Sequence, residues 1–253
     1  MKLRQISVAV AAAGAAAAAL AAPTVHLGPS TTWDAQLWIT GATAPTNSVY
    51  KAVRKLCVDD LDNTDASVAT PDGKPDDLTV FTEKYTASKD ADSRNPGKSA
   101  GGKLFAYACT MNSLAGSLAG LKTIVYHTAD IGSFDAYIPE LSLAGEVNAA
   151  VGPTGQRLKD VATTTCTGGV ADNVNGDPTY AGCGRATVTY AARTSLTDLP
   201  TMSEGGFSDT EYALNKANLG ISKDLADIVA DGDVANEVPT NVGQGFGVAV
   251  SWP

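Results

Sequence analysis

The sequence predicts an α/β fold: a mixed, mostly parallel sheet with helices on both faces, decorated by two loop-rich insertions. Three observations carry that expectation. Apolar, β-prone runs recur at Gln36–Thr40, Lys103–Cys109, Lys122–Tyr126 and Arg185–Tyr190. Three extended segments run directly into turns of small residues, and the first and last of these turns open helical patterns. Two polar stretches, about 58–102 and 143–184, interrupt the alternation. The chain has 253 residues of which 44% are hydrophobic, enough to bury the core of one large or two small domains.

In chain order, residues 1–21 read as a secretory signal. Lys2 and Arg4 precede an Ala/Val/Leu run that ends in the small-x-small site Ala19-Leu20-Ala21. That run is too short and alanine-rich to span a membrane, and no other segment qualifies. The expected location is therefore the periplasm or the exterior, with residues 22–253 as the mature lobe. The formal net charge is −9, and removal of Lys2 and Arg4 makes it more negative still. Such a chain has no basic stripe for nucleic acid or an anionic membrane, so any bound anion must be held by local donors.

Gln36–Thr40 is a short buried strand, followed by Gly41-Ala42-Thr43-Ala44-Pro45-Thr46 and a helix with apolar positions at Val49, Val53 and Leu56. Pro45 suits a first helical turn. The turn before a helix offers unpaired N–H groups and hydroxyls to an anion, and it serves equally well as a packing turn. Stretch 58–102 is polar, with one candidate strand at Leu78–Thr82; the spacing of Asp59, Asp60, Asp62 and Asp65 matches no calcium loop. After the strand Lys103–Cys109, Leu114–Leu121 is a segment of small and apolar residues. The strand Lys122–Tyr126 then leads into a loop from His127 to Asp135 with Gly132-Ser133 at its tip. Pro139 limits any helix there to about one turn. His127 lies near Asp130 and Ser133, but a lone histidine at a strand end is more often structural, and the spacing gives no oriented triad.

Stretch 143–184 is rich in Gly, Asn, Asp and Thr. Four cysteines in an exported chain favour two disulfides; of the open pairings the preferred one joins Cys57 to Cys109 and Cys166 to Cys183. No C-x-x-C spacing suggests a metal, and no cofactor is expected. Gly205 and Gly206 end an extended segment, after which Ser208-x-x-Glu211 forms a capping box for a helix through Tyr212, Leu214 and Leu219. Most capping boxes only cap, but this one also places a hydroxyl and Asp209 beside free helical N–H groups. Ile221–Val229 is helix-prone. The apolar strand Val242–Pro253 runs to the last residue, as if the natural chain continued.

This ordered series of strand, loop and helix resembles the first lobe of type II periplasmic substrate-binding proteins, specifically the phosphate-binding type. Gly41-Ala42-Thr43-Ala44, Gly132-Ser133-Phe134 and Gly206-Phe207-Ser208-Asp209 match the family's three ligand loops, and Gly247–Val250 its crossover strand. The likeness spans roughly Leu37–Val250, outside the insertions. It implies anion contacts from Thr43 and the Ala44 N–H, from Ser133 and the Phe134 N–H, and from the Ser208 hydroxyl. It also implies that Asp209 accepts a proton from the ligand. Phe134 stands where the family has glycine, and the second lobe lies beyond this sequence. The implied function is capture of phosphate or a related small oxyanion for the membrane permease of an ABC transporter. The protein would be a monomer and not an enzyme. The alternative is a secreted structural or interaction protein that keeps the fold without transport. A hydrolase using Ser133 or Ser208 with His127 ranks last.

Overall fold

The structure is a computed structural model that describes residues 26–42, 46–59, 75–83, 103–129, 136–137, 154–172, 177–189, 195, 197–198, 203, 205–208, 212–224, 229–230 and 233–234. The signal segment, Pro45, Pro139 and the expected strand Val242–Pro253 lie outside the described residues.

The apolar runs form the centre of a seven-stranded sheet. Its strands are β1 (Ala35–Gly41), β2 (Thr79–Thr82), β3 (Leu104–Thr110), β4 (Lys122–Thr128), β6 (Val170–Asp172), β7 (Pro178–Tyr180) and β9 (Gly205–Phe207). Between β4 and β6 comes β5 (Thr154–Leu158), and β8 (Arg185–Thr189) pairs with it as a separate antiparallel hairpin. The sheet order is β6-β7-β2-β3-β4-β1-β9. It is mixed: β4–β1, β1–β9 and β2–β7 pair parallel, whereas β2–β3, β3–β4 and β6–β7 pair antiparallel. β3 and β4 read as nearly unbroken apolar runs because both of their faces are buried.

One face is covered by α1 (Thr46–Leu56). Val49, Tyr50 and Val53 fall on one side of this helix and pack on Leu78, Val80, Phe105, Tyr107 and Val125. The expectation of helices on both faces meets a different arrangement among the described residues. Trp38, Phe81, Leu104, Ala106, Ile124 and Tyr126 on the opposite face are covered by Leu158, Val161, Cys166 and Cys183, with Val188 of β8 against them. The glycine- and threonine-rich second insertion is a poor helix former, and it supplies this cover as a hairpin and a stapled loop. The insertions are thus part of the core, since β2 and β7, which they contribute, lie inside the sheet.

Both preferred disulfides are present, Cys57–Cys109 and Cys166–Cys183. The first ties the end of α1 to β3 and closes 52 residues; the second closes 17. Loops of these lengths correspond to about 4 and about 3 kcal/mol of denatured-state constraint. The small-residue segment after β3 forms a 3-10 stretch over Ser113–Leu118, with the Asn112 side chain accepting from the Leu114 N–H at 2.9 Å.

The last helix described, α2, spans Tyr212–Leu219. Helix does not resume at Ile221, contrary to its propensity, because Gly220 takes φ 69° and the Ile221 N–H returns to the Lys216 carbonyl at 3.1 Å. That six-to-one bond with a left-handed glycine terminates a helix, and buried Ile221 completes the motif. Val229–Ala230 and Asp233–Val234 instead pair as β10 and β11, a short antiparallel ribbon.

Candidate functional site

The parallel strands β4, β1 and β9 are neighbours, so their carboxyl ends finish along one edge of the sheet. All three sequence-predicted loops leave from that edge. β1 ends at Gly41 and α1 begins at Thr46; β4 ends at Thr128; β9 ends at Phe207 and Ser208 follows. In open α/β sheets this edge is where ligands bind.

Contacts between the flanks draw the three loops together. Gly41 has φ 124°, and a Cβ there would lie 2.1 Å from the Phe207 carbonyl oxygen, so glycine is required where the first loop meets the third. The Ala42 N–H donates to that same oxygen at 2.6 Å. A Cβ on Gly206 would lie 2.6 Å from Ala136 Cα, which brings the end of the second loop onto β9. The Gly205-Gly206 pair therefore belongs to the edge strand itself, in place of ending an extended segment. Tyr137 packs on Tyr212, the first described residue of α2, with ring centroids 5.2 Å apart. The Thr40 hydroxyl donates to Ser203 Oγ at 3.3 Å, and both residues are buried.

Of the candidate contact residues, Ser208 is described: it is half-buried and directly follows β9. Thr43, Ala44, Ser133, Phe134 and Asp209 lie outside the described residues, as does Glu211 of the capping box. The first turn of α1 carries no acidic side chain, so no carboxylate there opposes an anion at the positive end of the helix.

Two features of the surroundings bear on the site. The Tyr50 hydroxyl donates to the buried Asp177 carboxylate, and Arg54 Nε lies 3.8 Å from it, so the helix that opens the site is anchored to the residue preceding β7. Nothing local marks Asp177 in the sequence. The second feature is His127, which is an interior residue of β4 and not part of the loop. It has no solvent exposure, and burial lowers its pKa to about 4. The ring is therefore neutral at physiological pH.

The unfolded chain holds a proton on His127 below pH ~6.5, whereas the folded one takes it up only near pH 4. Stability contributed by the neutral ring is full above pH ~6.5 and declines as pH falls toward 4, by about 3 kcal/mol over that window. Urea unfolding at pH 7 and pH 4.5 measures this decline, and it is expected to shrink in His127→Gln.

The chain matches no protein-family model, no curated protein and no solved structure. The functional reading consequently stands on the residues and their arrangement.

Proposed function

We propose that this protein captures phosphate or a related small oxyanion at the carboxyl edge of β4, β1 and β9. The observation that carries the reading is the convergence of three loop flanks there, with Gly41 against Phe207, Gly206 against Ala136 and Tyr137 against Tyr212. Backbone N–H groups and hydroxyls suit the task. The formal charge of −9 disfavours anions at long range, so binding depends on short, directed donors.

In this reading Thr43 and the Ala44 N–H hold the anion from the first loop, Ser133 and the Phe134 N–H from the second, and Ser208 from the third. Asp209 accepts a hydrogen bond from a ligand that still carries a proton, which favours hydrogen phosphate over a fully ionised anion. The finer likeness, a phosphate-type binding-protein lobe that delivers solute to an ABC permease in the periplasm, belongs to the same proposal. It is supported by the order of the three loops and by disulfides compatible with an oxidising compartment.

Equilibrium dialysis of the full chain against labelled phosphate tests the proposal. Thr43→Ala is expected to weaken retention about tenfold, the worth of one lost hydrogen bond to a charged group, with the melting temperature unchanged. A large fall in melting temperature with undiminished retention would instead assign Thr43 to packing. Absence of retention by the unaltered chain would favour a secreted interaction protein that keeps this fold.

A further inference from the structure

We draw no further inference here: the strongest candidate, the polar cluster of Tyr50, Arg54, Tyr107, His127 and Asp177 between α1 and the sheet, carries nothing, because no cavity or hydrogen bond among the described residues joins the buried Tyr107 hydroxyl or His127 ring to a ligand site, and Tyr50, Arg54 and Asp177 already partner one another in anchoring α1.

Discussion

Gly41→Ala is expected to cost about 3 kcal/mol or more of stability and to abolish anion binding. The added Cβ would lie 2.1 Å from the Phe207 carbonyl oxygen and 2.8 Å from its nitrogen, both of them backbone atoms that cannot rotate away. Relief requires β9 to separate from β1, which breaks the Ala42–Phe207 hydrogen bond and pulls the third loop from the first. Alanine at φ 124° is itself strained by about 1–3 kcal/mol. Gly205→Ala is the control, because its Cβ would meet nothing within 4 Å. Urea unfolding of both variants checks the difference. Equal, small effects would show that the β1–β9 junction tolerates a side chain and that Gly41 does not set the site.

Asp177→Ala is expected to destabilise the fold by about 3 kcal/mol. It leaves the Tyr50 hydroxyl without its acceptor and the partly buried Arg54 without its counter-charge, and breaking one side of a buried pair is costlier than the pair's net worth. Arg54 keeps 22% side-chain exposure, so solvent screens part of the lost charge interaction and the value stands at the low end of the buried range. Asp177→Asn keeps an acceptor for Tyr50 and is expected to lose about 1 kcal/mol. Because Asp177 anchors α1, the alanine variant should also weaken oxyanion binding although it lies away from the loops. Thermal unfolding of the two variants side by side measures the contrast; equal losses would assign the whole effect to charge.

How much of this was legible in the sequence follows from the range of the signals. β1, β3, β4 and α1 were legible because strands buried on both faces give unbroken apolar runs and Val49, Val53 and Leu56 repeat at helical spacing. The disulfides were legible because one bracket of cysteines encloses a glycine-rich loop and the other joins a helix end to a strand. What covers the second face was not legible. The alternation of Arg185–Thr189 says that one side is buried, and only the tertiary fold says that it lies over Trp38 and Tyr126. Ile221 was misread because helix propensity outweighed Gly220, whose left-handed conformation stops the helix.

The site divides in the same way. Loop chemistry pointed to the turns after β1, β4 and β9, but their adjacency depends on strand order, which places β1 between two partners from distant parts of the chain. The glycines revealed their purpose only through Phe207 and Ala136, the atoms that they approach. His127 could be noticed as a histidine near a loop; its complete burial beside the rings of Phe105 and Tyr107 is a property of the tertiary fold.

The most direct measurement is calorimetric titration of the full chain and of Asp209→Asn with phosphate and with sulfate at pH 7. Anion capture at the carboxyl edge predicts saturable heat with phosphate, at a dissociation constant of about 1 mM or tighter. It also predicts an Asp209→Asn variant that loses phosphate affinity and keeps more of its sulfate affinity. No saturable heat with either anion, or equal losses for both in the variant, would contradict it.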